Sequence, residues 1–291
     1  MTKPSVPGRL FVLFQYLLPH HLLSGLMYRI TRVRWKPFKN LLIRRIIAHY
    51  RVEMSLAEES DPQLYPSFNA FFTRALRPNA RPLAAGNDAV LCPADGRISQ
   101  TGCIIQGEIF QAKGHQYSLQ ELLGGATDWL EPFRDGGFAT IYLSPRDYHR
   151  VHMPLAGKLL GTTYIPGDLY SVNTTTAENV ERLFARNERL VSYFDTPAGP
   201  MAMVLVGAMV VAGIETVWGG QVAPPPKTPV SQDYRQAPQA VALASGEEMG
   251  RFKLGSTVIL LFPENAVDWD PRYAASTPTR LGEPLASIKP H

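Results

Sequence analysis

Beyond residue 53, glycine and proline cut this chain into short apolar runs, and that punctuation constrains its fold more than any other feature. The runs at 138–143, 201–211 and 257–262 have strand-like length and composition and are bounded by turn formers. They do not alternate regularly with helical segments, which argues against a parallel β-α-β sheet. With 45% apolar residues in 291, the chain can bury a substantial core in one large or two small domains. The expected class is α+β: a mainly antiparallel β body with a helical, basic N-terminal segment. The polar stretch 174–189 reads as one helix with a mixed charged face. Residues 222–229, with four prolines, read as an extended loop. No internal repeat is evident.

Charge divides the chain at the same place. Residues 1–52 hold ten lysines and arginines and no acidic residue before Glu53, so with a net +4 overall the remaining 239 residues stand at −6. A basic arm on a mildly acidic body suits either nucleic acid or an anionic membrane. Here the cations alternate with large apolar residues. Leu42, Ile43, Ile46, Ile47 and Tyr50 repeat at helical spacing, with Arg44, Arg45, His49 and Arg51 between them. That pattern fits a helix lying on anionic lipid, and no nucleic-acid partner is expected. The alternative is a helix packed on the protein's own core. Residues 10–18 are apolar apart from Gln15, too few to span a bilayer, and no small-x-small cleavage site follows. The expectation is a peripheral anchor on the cytoplasmic face of the cell membrane. Cys92 and Cys103 form no C-x-x-C motif, which points to a reducing compartment, with Cys92 a buried small hydrophobe.

Three residues far apart in sequence carry complementary chemistry. In Leu254-Gly255-Ser256-Thr257 a serine follows a glycine, whose carbonyl no Cβ shields and whose backbone tolerates strain, so the serine can cut its own chain. A Gly-Ser turn entering a strand is the alternative. Asp95, in Pro93-Ala94-Asp95-Gly96, reads alternatively as a surface turn residue, with Gly96 supplying a positive φ. Ser144-Pro145-Arg146-Asp147 resembles a capped helix start, after which His149 and His152 would share one side of a turn. Packing, catalysis and a metal pair are all open to them. A metal would need further ligands, and no cysteine pair or HExxH string supplies them. Together Asp95, His152 and Ser256 offer a carboxylate, an imidazole base and a nucleophile. The chain order is no objection, but no Gly-x-Ser-x-Gly elbow is present, which disfavours an ordinary α/β hydrolase.

Several strings then carry a family resemblance: Phe68-Asn69-Ala70-Phe71-Phe72, Pro93-Ala94-Asp95-Gly96, Tyr148-His149-Arg150-Val151-His152-Met153-Pro154, the stretch 166–173, Phe184-Ala185-Arg186-Asn187-Glu188-Arg189, the stretch 213–218 and Phe252-Lys253-Leu254-Gly255-Ser256-Thr257. In this order they resemble phosphatidylserine decarboxylases of the bacterial, membrane-associated, pyruvoyl-dependent type. The likeness runs from 68 to 262; residues 223–244 and the tail after 262 carry little of it.

The resemblance implies a proenzyme. His152, oriented by Asp95, would deprotonate Ser256, whose oxygen attacks the Gly255 carbonyl. Elimination would split the chain into a large subunit, 1–255, and a small one, 256–291, with Ser256 becoming a covalent pyruvoyl group. That ketone would form a Schiff base with the serine amine of phosphatidylserine and withdraw electrons as CO2 leaves, giving phosphatidylethanolamine. His149 would assist substrate handling or protonation. No metal is expected, and a homodimer of processed heterodimers is a further expectation. The expected domains are a membrane-binding arm, 1–52, and a catalytic domain, 53–291. Two competing readings are a pyruvoyl decarboxylase of a soluble amino acid and a non-catalytic membrane-binding relative.

Overall fold

The apolar run at 257–262 becomes the centre of the molecule because both of its faces are covered. In a computed structural model, which describes residues 6–125, 127–209, 213–222, 226–253 and 255–290, it forms the strand Ser256–Phe262, every residue of which is buried. Val258, Leu260 and Phe262 enter one core cluster, while Ile259 and Leu261 enter another on the opposite face. A strand buried on both sides reads as a continuous apolar run, not as an alternation. Leu254, residues 210–211 of the run at 201–211 and residues 223–225 of the proline segment lie outside the described residues.

This strand sits inside a nine-stranded sheet whose pairings are all antiparallel. On one side of it come Gly199–Val206, Arg189–Thr196, Gly157–Ile165 and Val230–Asp233, with Ala242–Leu243 also on Gly157–Ile165. On the other come Gly137–Leu143, Gly96–Cys103 and Pro278–Thr279. A four-stranded sheet orders Gly220–Val222, Ile214–Thr216, Glu248–Phe252 and Arg150–His152, and its Val151, Ile214, Met249 and Phe252 join the same core as Val258. The α+β expectation therefore holds.

Two local expectations are overturned. Residues 174–189 are not one helix: Thr174–Ala177 and Leu183–Arg186 are separate short helices, with Arg182 between them at φ 55° and Arg189 already in a strand. Ser144-Pro145-Arg146-Asp147 starts no helix either. The Asp147 carboxylate accepts from the Ser144 N–H and Oγ, both at 2.7 Å, closing a turn that leads into the strand Arg150–His152. His149 and His152 therefore share an extended segment, where residues three apart point to opposite faces.

Helices α1 (Val6–Leu17), α2 (His20–Ile30) and α3 (Lys36–Tyr50) form the arm. Among the described residues no helix is long and apolar enough to cross a membrane. Gln15, the polar residue in the apolar run, is a lock onto the body: it donates to Thr176 Oγ1 at 3.2 Å and accepts from the Ser171 N–H at 2.8 Å. The apolar stripe of α3 does not face outward. Ile43 is fully buried with Phe68, Phe71 and Phe72 of α4 (Phe68–Phe72), and Leu42, Ile46, Ile47 and Tyr50 pack around them. The core-packing alternative holds for this helix. Lys39 is also turned inward, donating to the Gln63 carbonyl at 2.8 Å. Within the arm the exposed apolar residues belong mainly to α1 and α2, among them Phe11, Leu13, Phe14, Leu17, Leu22 and Leu26.

Candidate active site

The Gly255-Ser256 bond lies where the two sheets join. Glu248–Phe252 belongs to the four-stranded sheet and Ser256–Phe262 to the large one, leaving residues 253–255 as the link. Lys253 fixes the near side: its N–H donates to the Gly213 carbonyl, and its ammonium meets Glu215 at 2.6 Å and Gln221 at 2.7 Å. Ser256 fixes the far side by pairing with Leu143. Ser256 is wholly buried, and its Oγ has no hydrogen-bond partner among the described residues. A buried hydroxyl left unpaired costs about 1–3 kcal/mol, so this one calls for an explanation. A Cβ built on Gly255 would meet nothing within 4 Å, so packing does not require glycine there.

Asp95 is not the exposed turn residue that its motif allows. It is buried, accepting from Arg81 Nε at 2.9 Å and Nη2 at 2.6 Å and from the Leu281 N–H at 2.9 Å. Gly96 has no positive φ; it is glycine by necessity of space, since a Cβ would lie 2.4 Å from the Tyr142 carbonyl oxygen.

His152 is brought to this motif through its backbone, whose N–H donates to the Pro93 carbonyl at 2.8 Å. Its ring Nδ1–H donates to the Gly246 carbonyl at 2.8 Å, which leaves Nε2 to accept from the Tyr148 hydroxyl at 3.0 Å. The tautomer is thus held by Gly246. Among the described residues no hydrogen bond joins His152 to Asp95 or to Ser256. Burial lowers the pKa of His152; the Gly246 carbonyl, Glu248 and Asp95 oppose the shift. The imidazole is therefore neutral at pH 7.

His149 stands apart from that pair. Its ring is fully buried and stacked on Phe72 at 4.1 Å, and its carbonyl accepts from the Phe252 N–H, four residues before Ser256. Burial, assisted by the Arg74 guanidinium, pushes its pKa down to about 3 against the nearby Ser144 and Pro145 carbonyls, although neither ring nitrogen makes a hydrogen bond. Cys92 is buried as expected, and burial pushes its thiol up to about 12.

The partners that sequence reasoning missed are Arg81, Tyr148, Phe72 and the Gly246 carbonyl. Tyr148 and Phe72 lie inside strings singled out in the sequence. Arg81 and Gly246 carry no local signal.

The comparisons with known proteins bear on this arrangement. A family model described as phosphatidylserine decarboxylase matches residues 68–287, and one described as PSD matches residues 10–51. A phosphatidylserine decarboxylase proenzyme of Pseudomonas aeruginosa is 58% identical over 286 residues, 98% of this chain and 99% of the relative. Proteins of the same description from Pseudomonas fluorescens and Ectopseudomonas mendocina are 58% and 55% identical, covering 95% and 97% of this chain and 96% and 99% of their own lengths.

Proposed function

The chain belongs to the phosphatidylserine decarboxylase family, and from that premise we propose that it is a proenzyme which cuts itself between Gly255 and Ser256 and then converts phosphatidylserine to phosphatidylethanolamine and CO2. The observation that carries the reading is Ser256 itself. An unpartnered buried hydroxyl follows directly on a glycine that the packing does not require. That is a poor structural choice and a good nucleophile beside an unshielded carbonyl.

In the first reaction Ser256 Oγ attacks the Gly255 carbonyl carbon, and the peptide C–N bond gives way to an ester. Elimination across Cα and Cβ of residue 256 then releases residues 1–255 as a carboxylate. Water converts the remaining dehydroalanine to a pyruvoyl group with loss of ammonia. His152 is the assigned base: with its Nδ1 proton committed to Gly246, the Nε2 lone pair is free to take the serine proton once Tyr148 yields it. Asp95 stabilises the imidazolium by charge. The pyruvoyl ketone supplies an electron sink for loss of CO2. His149, uncharged and flat on Phe72, is assigned to substrate handling.

The arm, 1–52, is assigned to the membrane and 53–291 to catalysis. The exposed apolar side chains of α1 and α2 beside basic residues support peripheral attachment to anionic lipid on the cytoplasmic side of the cell membrane.

Roles separate by variant. His152→Ala is expected to slow self-cleavage by roughly 10²-fold or more, the scale of a lost general base. Asp95→Asn is expected to slow it as well and also to destabilise the fold, since Arg81 loses its buried partner. His149→Phe, which keeps a ring on Phe72, is expected to cleave normally and decarboxylate poorly. Cleavage needs neutral His152, whose pKa lies below 6.5, so the acid limb of the cleavage rate should fall below pH 6.5. Gel time courses on folded protein across pH test the cleavage expectations, and CO2 release from phosphatidylserine by the cleaved His149→Phe protein tests the decarboxylation. Normal cleavage in His152→Ala overturns the assignment.

A further inference from the structure

Where the end of the arm meets the body, a cavity of about 270 Å³ is lined by five arginines: Arg51, Arg74, Arg81, Arg146 and Arg280. Its carboxylates, Glu53, Asp95 and Asp147, are fewer. Arg81 is paired with Asp95 at 2.6 Å and Arg146 with Asp147 at 3.5 Å. Arg51, Arg74 and Arg280 make no ion pair among the described residues.

Arg74 is the critical one, because it is only 4% exposed. Its Nη2 reaches the Arg146 and Asp147 carbonyls at 3.3 and 3.5 Å, and its guanidinium lies over the Phe71 ring at 5.5 Å, which covers a face and not an edge. Nε and Nη1 have no hydrogen-bond partner among the described residues. Burial lowers the pKa of this group, yet a guanidinium remains a cation at neutral pH. A desolvated cation with unmatched N–H donors is among the costliest arrangements in a protein interior unless an anion completes it.

We propose that this cavity is a binding site for a phosphoryl oxyanion. Three unpaired guanidinium groups from separate segments offer more N–H donors than the two oxygens of a carboxylate can accept, whereas a tetrahedral phosphoryl group presents several oxygens in different directions. Arg51 follows directly on α3, so the site opens where the arm ends; Asp95 and Tyr148 line it, and Ser256 and the two histidines do not. The phosphoryl group comes either from a lipid headgroup or from free phosphate.

The test is calorimetric titration of the full chain in neutral detergent with two soluble probes, inorganic phosphate and glycerophosphoglycerol. Binding of the phosphodiester assigns the site to a lipid headgroup, and binding of phosphate alone assigns it to the free ion. In either case Arg74→Met should weaken binding about tenfold or more, the scale of a lost charge-assisted hydrogen bond. Arg280→Ala, on the exposed rim, should weaken it as well and carries the test should Arg74→Met fail to fold. The double variant Arg44→Ala, Arg45→Ala, exposed on α3, should leave binding unchanged. Failure of both probes to bind overturns the proposal. So does binding that survives both Arg74→Met and Arg280→Ala, or that is lost with Arg44 and Arg45.

Discussion

Ser256→Ala is expected to remain one chain of 32.3 kDa with no decarboxylase activity, while the unaltered protein separates into residues 1–255 and 256–291. The smaller piece, ~4 kDa, should resist Edman degradation, because a pyruvoyl group has no amine to couple. Loss of a nucleophile of this kind costs on the order of 10⁶ in rate, so no residual cleavage should be visible. Stability should move the other way. Relative to the uncut precursor that still carries Ser256, removal of the buried, unpartnered Oγ breaks no hydrogen bond and relieves an unsatisfied group, for an expected gain of about 1 kcal/mol. Intact mass and thermal melting on the same sample therefore separate chemistry from folding. Gly255→Ala is the companion: its new methyl enters open space and leaves the melt nearly unchanged, yet crowds the carbonyl under attack, so cleavage slows. Efficient cleavage of Ser256→Ala would sink the assignment.

What could be read in the sequence follows the range of the forces involved. The central strand was legible because a run buried on both faces announces itself by composition alone. The misread stretch 174–189 shows the opposite case. Its helix begins properly, with Asn173 Oδ1 accepting from the Thr176 N–H at 2.9 Å, but a buried glutamine from elsewhere ends it. Gln111 donates to the Ala177 and Val180 carbonyls at 2.7 Å and accepts from the Leu183 N–H at 2.8 Å, capturing backbone groups that would have continued the helix. No local pattern encodes that. The candidate site divides in the same way. Asp95, His149, His152 and Ser256 stand in short strings whose spacing is local, whereas Arg81, Gly246 and Leu281 reach them from 14, 94 and 186 positions away. A sequence names the groups that react before it names the groups that hold them.

The arm should respond in opposite ways to substitutions that look alike in sequence. Ile43→Ser is expected to cost about 3 kcal/mol or more, since it empties a fully buried site against Phe68, Phe71 and Phe72 and puts a hydroxyl there. Phe14, Leu17 and Leu22 are each more than half exposed, so replacing all three by serine should change stability by only tenths of a kcal/mol per site. At a membrane the ranking inverts. Burying such a side chain in lipid contributes roughly 1.5–3 kcal/mol, so the triple variant loses several kcal/mol of attachment. Each lysine or arginine near an anionic surface adds about 1 kcal/mol, screened over about 8 Å at physiological salt. Vesicles containing phosphatidylserine should accordingly retain the protein better than neutral ones, and rising salt should release only part of it. The triple variant should bind weakly even at low salt, with an unchanged melt and full activity on detergent-dispersed substrate. Equal retention by both vesicle types, untouched by the triple substitution, would leave the arm as a packing element and remove its membrane role.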